Sequence, residues 1–397
     1  MNQIQERSTY YQKLYPTINN DDLLEFRLPP NNKANMCLSN VLLRFLIKIP
    51  DLEDNSQKLV PENLLGHKQF SSLEVRINGE AITRRNCANE YFLGADFQYL
   101  TNFSSDYLIT ACGYFDLSEF STAELAESAK HKYKASVLNS RKGLGKNTFE
   151  ILMPIDSSIF TSNQNLPTNT PVELSFERAA AKFSLFLSDE SEETMPEILA
   201  LTDAFILVPY TIDDDLINSE KSIVSNPIKI KYEEYSINRF NIPKETANVR
   251  LANLLSGPLP SKLFFGIMEL DAYTGSFKKS STRFQVHNVQ KATLYVDGNV
   301  LSGYPLQIEE NAIAVPFVRF QENTNRFMNC YSSRIISMED FRDFYFLYSA
   351  KLDSQTSGSL TFEFDFDEAP TTDLVLVTCS LHEKTMEIDS FRNARII

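Results

Sequence analysis

Tryptophan is absent from this chain of 397 residues, glycine is held to 12, and only four histidines occur, His67, His131, His287 and His382. No two of them lie close enough to build a metal site on one strand or helix, and His-x-His is missing. That works against enzymes that hold iron or copper with paired imidazoles. Cys37, Cys87, Cys112, Cys330 and Cys379 form an odd set without a C-x-x-C pair. A disulfide framework and a zinc ribbon are both disfavoured, and synthesis in a reducing compartment is expected.

The first residues, Met1 to Glu6, lack the basic start and apolar run of a signal peptide, and Asn2 excludes an N-myristoyl glycine. Long apolar runs are missing as well. Val41 to Ile49 is interrupted by Arg44 and Lys48, far short of the roughly 20 residues a membrane helix needs. Membrane insertion is not expected, and the sequon Asn102-Phe103-Ser104 reads as a chance match.

Catalytic motifs fail on inspection. Arg141-Lys142-Gly143-Leu144-Gly145-Lys146-Asn147 resembles the end of a phosphate loop, but Ser140 stands where the first glycine belongs and Asn147 where the Mg-binding hydroxyl belongs. His382-Glu383 meets Met386 instead of a second histidine, and no G-x-S-x-G elbow occurs. Acid runs such as Asp189-Glu190-Ser191-Glu192-Glu193 read as solvated loops. The expectation is a protein that is not an enzyme, with no catalytic residues, metal or cofactor.

What is present is β-forming. Phe (29) and Tyr (17) bring the aromatic content to 12%, which favours pleated, half-buried surfaces. The net charge is −14 and the pI near 4.9, so generic binding to a polyanion is disfavoured.

The chain also repeats itself. Leu73 to Ile82 reads as a hairpin closed by Asn78-Gly79, and Thr293 to Leu301 as its counterpart closed by Asp297-Gly298; both dipeptides suit a type I′ turn. Upstream of the two turns lie the matched runs Val41–Ile49 and Leu263–Leu270. Downstream come Phe149–Met153 and Phe344–Tyr348, then Val172–Phe176 and Leu360–Phe366, then Ala204–Val208 and Leu374–Thr378, in the same order. Leu360–Phe366 alternates Phe with acid, the period of a strand with one buried and one wet face. Helix starts are few: Ser121-Thr122-Ala123-Glu124 forms a capping-box pattern and Ser337-Met338-Glu339-Asp340 a weaker one. The polar stretch Thr211 to Lys221 separates the halves. The expected fold is all-β, two tandem jelly-roll β-sandwiches with a few short helices in loops, over residues 1–215 and 216–397.

The first half carries an insertion at about 130–148. Lys130, Lys132, Lys134, Arg141, Lys142 and Lys146 lie there with no acid between Ala129 and Phe149. Such a loop is either an ordinary solvated one or an electrostatic contact for an acidic neighbouring subunit or packaged nucleic acid.

Ser256-Gly257-Pro258-Leu259-Pro260-Ser261-Lys262, Gly266, Phe284, Asn288-Val289, Leu294-Tyr295-Val296-Asp297-Gly298 and Pro305 resemble the hexon, or major capsid, proteins of adintoviruses and the related Maverick/Polinton elements of animal genomes. Glu387-Ile388-Asp389 with Arg392-Asn393 is similar to that family's ending, while the first half resembles it in architecture only. The resemblance implies a homotrimer whose three pairs of barrels present six lobes, pack against neighbouring capsomers and penton or minor capsid proteins, and enclose double-stranded DNA. It implies location in the virion after assembly in the host cell, in the nucleus, and it carries no catalytic residues. Rival readings are a carbohydrate- or receptor-binding β-sandwich, since Phe- and Tyr-rich loops stack on sugars, and a minor capsid protein of the same virus.

Overall fold

The computed structural model describes residues 8–49, 59–83, 89–102, 148–162, 164–187, 195–212, 227–309, 313–324, 336–353 and 356–397. The described chain folds as two jelly rolls in tandem. The first is built from β1 (Ser8–Leu14), β2 (Leu23–Leu28), β3 (Leu42–Lys48), β4 (Phe70–Ile77), β5 (Glu80–Ala81), β6 (Thr148–Pro154), β7 (Val172–Arg178) and β8 (Leu201–Ile212). The second repeats the set as β9 (Ile228–Ile242), β10 (Asn248–Pro258), β11 (Lys262–Glu269), β12 (Val289–Val296), β13 (Asn299–Val300), β14 (Tyr348–Lys351), β15 (Ser357–Phe366) and β16 (Leu374–Ile388).

Pairing follows one rule in both rolls. One sheet of the first roll runs β1-β8-β3-β6 and the other β2-β7-β4-β5; the second roll gives β9-β16-β11-β14 and β10-β15-β12-β13. Each strand therefore has its equivalent eight strands later, with antiparallel neighbours throughout. Shorter strands extend the edges, among them Ala394–Ile396 beside β16.

Side-chain alternation explains why these segments face each other across a sandwich. In β7, Val172, Leu174 and Phe176 are fully buried, and in β15 Leu360, Phe362, Phe364 and Phe366 point inward, with Glu363 and Asp365 on the opposite face. Phe265 of β11 meets Phe362 edge-on at 4.4 Å and stacks on Tyr348 at 5.1 Å. The Phe265–Phe362 pair joins the two sheets of the roll, and the Phe265–Tyr348 pair joins neighbouring strands of one sheet.

Both hairpin turns have two central residues at positive φ. Asn78 and Gly79 lie at 50° and 84°, Asp297 and Gly298 at 50° and 80°, between the pairs Ile77–Glu80 and Val296–Asn299. Among the described residues, three helices lie between the fifth and sixth strands of the two rolls: α1 (Glu90–Asn102) in the first, α2 (Ala314–Asn323) and α3 (Met338–Asp343) in the second. Ser337 caps α3 in a full capping box with Asp340. The start expected at Ser121 lies outside the described residues.

One strand expectation needs correction. Within Phe344–Tyr348 only Tyr348 belongs to a sheet strand. Phe344 and Phe346 use their backbone on Phe284 instead, whose amide donates to Phe344 O and whose carbonyl accepts from Phe346 N, both at 2.9 Å. The polar boundary also starts later than expected, because Thr211 and Ile212 pair with β1 as the last residues of β8. The boundary at 215/216 falls outside the described residues.

Candidate self-assembly surfaces and the junction between the rolls

The rolls meet across a junction made mostly of groups that sequence reading left unassigned. Tyr235, on β9, is its centre. Its amide donates to Ser158 Oγ at 3.0 Å, and its hydroxyl donates to the backbone oxygen of Asp156 at 3.1 Å. The ring lies against Gly94 of α1, so closely that a Cβ there would sit 2.4 Å from Tyr235 Cε2. Glycine inside a helix costs about 1 kcal/mol relative to alanine, and here it permits the close approach of the second roll. Phe97 of α1 adds a ring contact with Phe284 at 5.2 Å.

Beside these rings lies a buried polar cluster. Glu62 Oε1 accepts from Ser280 Oγ at 2.8 Å and from Thr282 Oγ1 at 2.9 Å. Lys68 donates to Ser281 Oγ, and its Nζ is 3.7 Å from Asp96 Oδ2 with the lysine side chain wholly enclosed. Among the described residues neither Asp96 carboxyl oxygen has a hydrogen-bond partner. Asn63 donates to the Tyr345 hydroxyl at 3.2 Å, and Arg392 Nε donates to Thr168 O at 2.7 Å. Each of these contacts joins the first roll to the second, except the Lys68–Asp96 approach, which ties the loop before β4 to α1.

Burial sets the protonation of this junction. It pushes Asp96 up to about 8 against the pull of Lys68, and Asp156 up to about 7 against the hydrogen bond from Tyr235. His67, enclosed against Tyr91 with its Nδ1 3.2 Å from that hydroxyl, is driven down to about 3 by burial. Removing one partner of an enclosed pair costs about 3–5 kcal/mol, whereas the intact pair contributes little net stability. The cluster is therefore expected to specify how the rolls register more than how strongly they hold.

A second surface lies on the outer side of the first roll. Tyr11 and Tyr15 of the β1 segment are 57% and 62% exposed. Lys13 lies 3.9 Å over the Phe205 ring, and Tyr15 meets that ring edge-on at 6.4 Å. Arg44 beside this aromatic strip is tied to Glu150 at 2.9 Å and to Asp203.

The sequence-derived residues divide clearly. Asn78, Gly79, Asp297 and Gly298 stand at the two turns described above, and Asn78 donates to Asn393 Oδ1 at 3.4 Å across the junction. Lys130, Lys132, Lys134, Arg141, Lys142 and Lys146 all lie outside the described residues. Among the described residues no group of three His, Cys, Asp or Glu side chains is placed to hold a metal, and no helix is long and apolar enough to cross a membrane. Gly94 was the one legible hint of the junction, since a glycine inside an apolar run marks close backbone approach. The buried charges gave no such hint, because spacing cannot show which loop residues end up enclosed.

Two jelly rolls in one chain, joined by a packed junction, define a double jelly roll. Solved structures with this fold include VP54 of PBCV-1, fitted into a cryo-EM reconstruction of the virophage Sputnik, at a TM-score of 0.59 and 10% identity over 100% of this chain and 98% of that one. The mavirus major capsid protein matches at 0.56 and 11% over 98% and 90%, and a chain of the Sputnik virophage structure at 0.58 and 11% over 98% and 88%. In sequence, an uncharacterized protein of Caenorhabditis elegans is 22% identical over 401 residues, covering 93% of this chain and 92% of the relative. No family model matches.

Proposed function

We propose that this chain is the major capsid protein of a DNA virus or integrated viral element, a homotrimer that tiles an icosahedral shell. The observation that supports the reading is the likeness in fold, along 98% to 100% of this chain, to double jelly-roll capsid proteins. A shell needs extended complementary surfaces and no reactive group. The adintovirus and Maverick/Polinton group is the lineage suggested by the segment Ser256 to Pro305. A nematode relative matched over nearly its full length fits a gene of the integrated-element kind.

In this reading the partners are further copies of the chain, then penton or minor capsid proteins, and the location is the virion after assembly in the nucleus. The basic segment with Lys130, Lys132, Lys134, Arg141, Lys142 and Lys146 touches packaged DNA or an acidic neighbour. Expression in insect cells followed by negative-stain imaging tests the proposal. Six-lobed capsomers or closed shells are expected; a monomer that binds glycans on an array and builds neither would replace it with the binding-module reading.

A further inference from the structure

Two buried charges of the first roll converge on one stretch of the second. Glu62 Oε1 accepts from Ser280 and Thr282 at 2.8 and 2.9 Å, and Lys68 donates to Ser281 between them. Lys68 Nζ in turn stands 3.7 Å from Asp96 Oδ2, with the Phe92 ring centroid 5.5 Å from the same nitrogen. Lys68, Asp96 and Glu62 are 0%, 1% and 3% exposed, so all three are shut away from bulk water.

The backbone that carries them is pinned. Glu62 N donates to Ser184 O at 2.9 Å, Lys68 N donates to Leu64 O at 3.1 Å, and Gln69 O accepts from Ala179 N at 2.8 Å. Asp96 lies in the middle of α1, between Gly94 against Tyr235 and Phe97 against Phe284. An amine and a carboxyl group are thereby held together, and neither can turn out to solvent.

As an ion pair this arrangement is poorly made. A buried pair is repaid only when further hydrogen bonds satisfy the remaining lone pairs, yet among the described residues neither Asp96 carboxyl oxygen accepts one. Burial, opposed by Lys68 and helped by Glu62 and Asp156, pushes Asp96 up to about 8. At neutral pH it is the carboxylic acid, the form that can lose a hydroxyl as water. Enclosure favours such a condensation, because a fixed approach replaces a bimolecular encounter and solvent is kept out.

We propose that Lys68 and Asp96 condense to a covalent amide, an isopeptide cross-link between the loop before β4 and α1, with Glu62 carrying the protons. Glu62 takes one proton from the ammonium, and the freed lone pair attacks Asp96 Cγ to form the C–N bond. Glu62 gives that proton to the departing hydroxyl as the C–O bond breaks and one water leaves; it then accepts a second proton from the nitrogen. An ammonium, a carboxylic acid and a carboxylate become an amide, a water and a protonated Glu62, so atoms and charge balance and no oxidant or activating group is consumed. Ser280 and Thr282 orient Glu62, and Ser281 holds Lys68, so closure of the second roll on the first completes the site. The bond then fixes α1, the helix against which the second roll rests. Until it forms, the pair titrates as an acid and an amine; afterwards neither group does. The inference concerns a single chain and stands apart from the capsid reading.

The test follows the intact mass of the full-length chain by electrospray, from fresh purification through several days at neutral pH, beside Lys68→Arg and Asp96→Ala. The unmodified chain is expected to lose about 18 Da, one water, while both variants keep the mass of their sequences. A tryptic digest of the unmodified chain is expected to yield a branched peptide joining residues 59–76, uncut at Lys68, to residues 86–130. Glu62→Gln is expected to slow the loss by about 100-fold. An unmodified chain that keeps its full sequence mass, or loses mass without the branched peptide, overturns the cross-link, and this readout depends on no variant folding. The same loss in Lys68→Arg or Asp96→Ala overturns the choice of partners, and an undiminished rate in Glu62→Gln overturns the part given to Glu62.

Discussion

Asp96, Asp156 and His67 give the inter-roll junction a pH signature whose sign is fixed by burial. The two aspartates are raised from 3.8 to about 8 and about 7, so the folded chain holds protons that the unfolded chain has released. Their stabilising share is full below the ordinary carboxylate range and is lost as pH rises through the folded values. His67, lowered from 6.5 to about 3, acts oppositely: its share is full above 6.5 and is lost as pH falls toward 3. The signs oppose each other below pH 6.5, so the clear window is pH 6.5 to 8. There the melting temperature is expected to fall as pH rises, and Asp96→Asn to flatten the slope. A melting temperature that rises across this window would contradict the enclosed-acid description.

Gly94 gives a second expectation at the residue scale. Gly94→Ala would improve helix propensity by about 1 kcal/mol, but its Cβ would meet the Tyr235 ring at 2.4 Å. That ring is held by the Asp156 bond and cannot turn away freely. Overpacking of this kind costs about 1–3 kcal/mol, so a net loss in a denaturant melt is expected, and a gain would show that the junction is looser than described. Lys68→Met leaves the buried Asp96 without its cation and Ser281 without its donor across the junction. A loss of about 3–5 kcal/mol in a denaturant melt is expected, and an unchanged melt would contradict the enclosed description of this pair.

Elements differ in how plainly the sequence announces them. Strands with one wet face, such as β15 with its alternating Phe and acid, are legible by period alone, and so are the Asn-Gly and Asp-Gly turns. α1 was not legible: Tyr91-Phe92-Leu93-Gly94-Ala95-Asp96-Phe97 is apolar nearly all round, because both rolls cover it, and carries no 3.6-residue stripe. Phe344 to Tyr348 misleads for the opposite reason. Its aromatic run has strand composition, but its backbone is spent on Phe284. At the turns, Gly298→Val is expected to cost about 1–3 kcal/mol. No atom lies within 4 Å of a Cβ placed there, so the cost is purely that of a β-branched residue at a φ of 80°. An unchanged melting temperature would contradict the turn's role. Ser337→Ala removes the acceptor of the Asp340 amide, now at 3.0 Å, and should cost about 1 kcal/mol.

For the whole molecule, the order of strands in the two halves was readable because each half repeats the same turns and runs. The unequal covering of the two outer faces was less legible: Ala204 to Val208 of β8 and Leu374 to Val377 of β16 are both continuous apolar runs, and only β1 places polar residues beside its tyrosines. How the rolls meet was not readable, since the junction is assembled from loops far apart in the chain. On the proposed capsid reading, further copies of the chain complete the double roll.

The mass of the purified chain in solution by light scattering tests that claim most directly. A particle of about 136 kDa, three chains of 45.3 kDa joined in a closed ring, is the predicted result; a stable particle of 45.3 kDa at micromolar concentration would contradict it.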